Sequence, residues 1–194
     1  MQHEWQYRTC STTLKTRAEP TEELVIEGYF AVFNSIYDMG CGMTESIAPG
    51  AFTDALNGDI RALIDHDSRL VLGRTTAGTL SFQQDDHGLY GKIVINPNDS
   101  DAKNLYERVK RGDVSQCSFG FCIEDEDTNV REDGSVHWTI RKVHLFEVSC
   151  CTFPAYEDTA IAARKQDREA IRERKKTAWK ASMREKLKGA GNPC

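Results

Sequence analysis

Beyond a polar, weakly patterned stretch that ends near Pro20, the chain turns apolar: LVIEGYFAVF from Leu24 is a β-branched and aromatic run typical of a buried strand. The next segment, NSIYDMGCGMTESIA from Asn34 to Ala48, has the Gly, Asn and Asp content of a loop, long enough to be functional. Pro49 followed by AFTDALN predicts a short helix with proline in its first turn. IRALIDHDS is an apolar run ending in a polar cluster. LGRTTAGTLSFQQ and LYGKIVIN, divided by Asp85, Asp86, His87 and Gly88, read as a hairpin. A helix is predicted from Ser100 to Arg111, with Ser100 as N-cap, Leu105 and Val109 spaced by four, and Gly112 as the stop. SQCSFGFCIE, VHWTIRKV and HLFEVSCCTF then read as strands, with EDEDTNVREDG as an acidic turn. The expected fold class is α+β, mostly antiparallel β: a closed or partly closed β-barrel with a few flanking helices and a C-terminal helical tail.

The tail begins at Ile161, where Arg, Lys, Glu and Ala alternate almost without turn residues and the apolar stripe is thin: Ile171, Trp179, Met183 and Leu187. It reads as a solvated helix. Three segments follow from this pattern: a flexible N-terminal stretch 1–22, a body 23–160 and a basic tail 161–194. A length of 194 residues suits one domain with an appendage.

Charge sharpens the division. The tail holds 11 of the 25 Lys and Arg against 4 of the 30 Asp and Glu, a net +7, which leaves 14 cations against 26 anions, or −12, on residues 1–160. An acidic body with a basic tail argues against a specific nucleic-acid binder. No run of about 18 apolar residues exists to cross a membrane, and MQHEWQYRTCSTTLKTRAEP lacks the apolar core of a secretory signal, so a soluble cytosolic protein is expected. The seven cysteines are odd in number and show no CxxC spacing, so reduced thiols are expected and no zinc site.

Three residues break the apolar pattern. In LFEVSCC the carboxylate of Glu147 interrupts a strand whose period of two sets Glu147, Ser149 and Cys151 on one face; buried there it needs a partner, although an exposed face of an antiparallel sheet accounts for it as well. In SFGF, Ser118 shares a face with Gly120, a pairing that admits a close-lying backbone or marks a bulge. His66 lies in IDHDS at the end of an apolar run, where a surface histidine is the plain explanation. Taken together these are a hydroxyl to attack, an imidazole to accept its proton and a carboxylate to orient the imidazole. Composition alone does not assemble them.

The segments IEGYFAVFN, APGAF at Ala48 to Phe52, LIDHD followed by LGRTTAGTL, RGDVSQCSFGF, and FEVSCCTFPAY run in order from about Leu24 to Ala160. In them the chain resembles the prohead (procapsid) maturation proteases of tailed phages, which are similar in fold to the herpesvirus assemblins. The resemblance implies a protease domain over 23–160, with the family's histidine at His66, its serine nucleophile at Ser118 and its acidic member at Glu147. Assemblins use a second histidine as third member, so the Glu147 assignment follows the phage branch. Cys117, directly before the nucleophile, departs from many relatives and is expected to point away from Ser118.

What the resemblance further implies is a serine endopeptidase packaged in an immature procapsid in the host cytoplasm. There it would cleave scaffold, or the scaffold arm of the major capsid protein, and finally itself. The oxyanion hole is expected after the Glu147 strand, at the amides of Thr152, Phe153 and Ala155. No cofactor is called for, a homo-oligomer is favoured, and the basic tail fits a handle for acidic scaffold segments. Competing readings are a cysteine hydrolase using Cys150 or Cys151, a metallohydrolase using His66, Asp67 and His87, and a non-catalytic assembly factor that keeps the fold.

Overall fold

The computed structural model describes residues 5–10, 14–18, 23–153 and 158–189, in two compact units divided after Glu157. The first unit is a strand-rich α+β fold with one α-helix; the second is a long helix. In the first unit, β1 (Gln6–Cys10), β4 (Tyr37–Asp38), β5 (Met43–Ile47), β6 (Arg61–Ile64), β7 (Asp67–Arg74), β10 (Gln116–Val130) and β11 (Val136–Cys151) form one sheet. A second sheet has the order β2 (Lys15–Ala18), β3 (Leu24–Val32), β9 (Gly88–Ile95), β8 (Leu80–Gln84). Among the described residues no strand pairing joins the two sheets into a closed ring.

The first sheet is organised by β11. β10 pairs with it antiparallel along nearly its whole length, while β5 pairs parallel with its first half and β6 parallel with its second. The sheet is strongly curled, because Arg8 on β1 meets Glu45 on β5 although β10 and β11 stand between them in strand order. Inside the curl, β10 sends Phe119 and Phe121, stacked at 4.9 Å, into a core shared with Phe30, Phe52, Ile93 and Ile140. Burial of each such phenyl ring stabilises the fold by about 2 kcal/mol, which fixes the face of β10 and therefore the opposite direction of its neighbours Ser118 and Gly120. Cys117 faces inward opposite Cys150, away from Ser118.

Several elements differ from the pattern-based reading. The stretch read as a loop contains β5; its central Glu45 is only 2% exposed because Arg8 compensates the carboxylate, so burial there leaves no hydrophobic signature. VHWTIRKV and HLFEVSCC are one strand, and EDEDTNV continues β10 with only a short turn at Arg131–Ser135, since the far end of this ribbon is solvated and carries charge without cost. AFTDALN forms turns and a single 3-10 turn at Ala55–Asn57. The helix α1 spans Ser100–Arg111 and ends on left-handed Gly112, but its N-cap is Asp99, whose side chain accepts from the amides of Asp101 and Ala102. Within 1–22, β1 and β2 are ladder strands, held by backbone pairing that polar side chains do not reveal.

The second unit contains α2 (Asp158–Gly189), polar on nearly all sides, with Trp179 and Met183 exposed. Leu187 lies outside the described side chains. Among the described residues no helix is long and apolar enough to cross a membrane.

Candidate active site

His66 is delivered by a two-residue turn. Asp65 and His66, between β6 and β7, both have positive φ, 46° and 61°, the backbone a type I′ connection requires. Left-handed geometry is uncommon for histidine and costs about 1 kcal/mol, so the turn needs anchors. The Asp65 amide donates to the Cys150 carbonyl at 3.1 Å, and the Asp65 carboxylate accepts from the Thr152 amide at 2.7 Å and its hydroxyl at 3.1 Å. The amide of His66 itself donates to Ser149 Oγ at 3.2 Å.

So held, the imidazole lies along the outward column of β11. Its Nδ1 is 2.7 Å from Glu147 Oε1, and its Nε2 is 3.7 Å from Cys151 Sγ. The second carboxylate oxygen of Glu147 accepts from the Ser149 hydroxyl at 2.6 Å. Glu147 is almost fully buried, and these two contacts compensate its charge. Its room comes from Gly120, directly opposite in register: a Cβ there would stand 2.6 Å from Glu147 Oε1 and 2.9 Å from Tyr7 Cε1. The Tyr7 ring on β1 rests edge-on against His66 at 4.5 Å, and burial followed by the Glu147 charge pushes its hydroxyl above the usual range.

Ser118 lies opposite Ser149 and on the same face, one strand from the imidazole column. It has no accessible surface, and its hydroxyl donates to the Arg8 carbonyl on β1 at 2.8 Å. His66 and Glu147 are therefore joined directly, while the Ser118 hydroxyl is engaged by the N-terminal strand. Of the residues expected to form an oxyanion hole, Thr152 has its amide committed to Asp65, Phe153 is exposed, and Ala155 lies outside the described residues.

The model of the caudovirus prohead serine protease family matches residues 12–174, five-sixths of the chain. The chain belongs to that family. The prohead protease of Enterobacteria phage HK97 is 33% identical over 145 residues, 73% of this chain, and the match spans 60% of that relative's length. No solved structure gives a significant match.

The environment of the neighbouring thiols suppresses them as nucleophiles. Burial, then the Asp65 and Glu147 charges, pushes Cys151 up to about 12, and burial raises Cys150 further. A thiol so suppressed is a poor nucleophile despite its contact with His66. Iodoacetamide at pH 8 is therefore expected to modify exposed Cys41 and spare Cys150 and Cys151; peptide mass mapping checks this. The metal-site reading finds no geometry: Asp67 is gripped by Arg69, its carboxyl held down at about 2, and His87 packs edge-on against Tyr29. Among the described residues no three ligating side chains cluster.

The pattern-based reading placed Ser149 on the Glu147 face without giving it a role. Asp65, Tyr7 and the Arg8–Glu45 pair escaped it. Asp-His between two apolar runs is the one local signal, since such pairs tolerate the left-handed turn.

Proposed function

We propose that this protease family member is a serine endopeptidase with Ser118 as nucleophile, His66 as general base and then general acid, and Glu147 as the group that holds the imidazole and stabilises its charge. The observation that carries the reading is the 2.7 Å contact between His66 Nδ1 and Glu147 Oε1, which leaves Nε2 without the carboxylate, its neighbour being Cys151 Sγ at 3.7 Å on the Glu147 face of β11. The relay requires the Ser118 hydroxyl to turn from the Arg8 carbonyl toward Nε2 and the ring to move to meet it. Amides following β11, among Thr152, Phe153 and Ala155, would receive the oxyanion once Thr152 leaves Asp65.

Its substrates are the scaffold protein or the scaffold arm of the major capsid protein, and the chain itself, cut inside an immature procapsid in the host cytoplasm. The enzyme acts as a homo-oligomer without a cofactor. The curled first sheet backed by the second is read as a partly closed barrel of the assemblin type. Incubation of purified protein with uncleaved procapsids, followed by gel electrophoresis, tests the reading: shortened capsid or scaffold bands are expected. Unchanged bands with wild-type protein would favour the non-catalytic assembly factor, for which the buried, carbonyl-bound Ser118 hydroxyl is the structural argument.

A further inference from the structure

β1 stands out among the strands of the first sheet. It adds antiparallel to β10, from Gln6 opposite Phe121 to Cys10 opposite Cys117, and so lies directly beside Ser118. It precedes the region shared with the family, which starts at residue 12. It also covers two members of the site: the Arg8 carbonyl takes the Ser118 hydroxyl, and Tyr7 lies on His66. A protein substrate cannot reach Ser118 while β1 is in place. The geometry of that occupant is itself that of an extended peptide on a strand edge, with one carbonyl at the hydroxyl of Ser118 and side chains alternating between two faces.

The side chain belonging to that carbonyl is Arg8, and it enters a formed receptor. Its Nε is 2.6 Å from Glu45 Oε1 and its Nη2 is 2.9 Å from Oε2, a bidentate pair with Arg8 6% and Glu45 2% exposed. The guanidinium carbon lies 5.5 Å from the centre of the Phe121 ring and 6.0 Å from that of Tyr37. A cavity of about 300 Å³ borders the pair. A buried carboxylate whose partner's guanidinium lies over two aromatic rings suits a planar cation, and a neutral or acidic side chain in that place would forgo the bidentate pair.

We infer that the edge of β10 is the seat of the substrate strand, that Glu45 selects a basic residue, Arg before Lys, immediately before the scissile bond, and that β1 fills this seat in cis. The inference rests on the Ser118 assignment above. In a substrate so placed, Ser118 Oγ bonds to the carbonyl carbon of the basic residue and the C–N bond to the following residue breaks. The serine proton passes through His66 to the departing amine, and water then releases the acyl group and restores the serine.

The test uses the full chain and two internally quenched peptides copying residues 5–12, one with Arg and one with Gln at the position of Arg8. The ratio of their kcat/KM values within one preparation does not depend on the folded fraction. Wild-type protein is expected to favour the Arg peptide by roughly 10- to 100-fold, the worth of a charge-assisted bidentate contact. Glu45→Gln is expected to bring that ratio close to unity, and Arg8→Gln to keep the ratio while raising both rates, because the internal occupant is weakened. A ratio near unity in wild type, a ratio unchanged by Glu45→Gln, or rates not raised by Arg8→Gln overturns the inference. Should Glu45→Gln yield no soluble protein, the wild-type ratio and the Arg8→Gln rates decide. Ser118→Ala separates the two levels: if it cleaves the peptides like wild type, the catalytic assignment fails; if it is silent while the ratios are flat, only the substrate-strand inference fails.

Discussion

Ser118→Ala is expected to lower kcat by about 10⁵- to 10⁶-fold while the protein remains folded. The hydroxyl makes a single hydrogen bond to the Arg8 carbonyl, so its loss costs about 1 kcal/mol of stability, and the smaller alanine side chain fits the same strand position. A circular-dichroism melt beside a peptide-cleavage assay separates the two effects. Ser149 is the informative control, because it is the other buried hydroxyl on this face and is closer to the imidazole column. Its oxygen accepts the His66 amide and its proton goes to Glu147. On the proposed assignment Ser149→Ala removes support but no reacting atom, and kcat is expected to fall only about 10- to 100-fold. If Ser149→Ala is the silent variant and Ser118→Ala retains activity, the nucleophile has been misassigned between two residues that face each other in the ladder.

The second large effect concerns Glu147. Glu147→Gln is expected to lower kcat by about 10³- to 10⁴-fold, because the amide keeps the shape of the carboxylate but carries no charge to stabilise the imidazolium that forms as the serine proton is taken. Ser149 can turn its hydroxyl to accept from the new amide, so the melting temperature stays near that of wild type and the loss is catalytic. An unchanged rate would leave His66 without a catalytic carboxylate partner. The Gly120 position makes the same point sterically, since any side chain there collides with the Glu147 oxygen.

Position in the chain told much about this site. The alternation in LFEVSCC and SFGF put Glu147, Ser149 and Cys151 on one face and Ser118 beside a glycine, and register then placed Gly120 opposite Glu147 and Ser118 opposite Ser149. The helix α1 and the turn between β8 and β9 were legible, because a helix with an apolar stripe and a hairpin with a polar turn satisfy their own backbones locally, although LGRTTAGTLSFQQ, read as one arm, is broken by a 3-10 turn at Thr75–Ala77 between β7 and β8. β5 and β1 were not. Their backbones are satisfied by distant strands, and their buried charges, Glu45 and Arg8, compensate each other across 37 residues. No window of sequence registers such a pair.

The sequence by itself determined the inward and outward faces of the short stretches around Ser118 and from Glu147 to Cys151, and with them the set of polar groups available on one surface, because a strand's period of two is a local property of the backbone; the bulge that shifts the phase of β11 before Glu147 was not part of it. Only the tertiary structure decided which of those groups meet. The left-handed Asp65–His66 turn carries the imidazole onto Glu147, and β1 lies over Ser118, because both contacts depend on strand pairings between segments more than 80 residues apart. Such pairings are chosen by the shape of the whole core and not by any stretch of it.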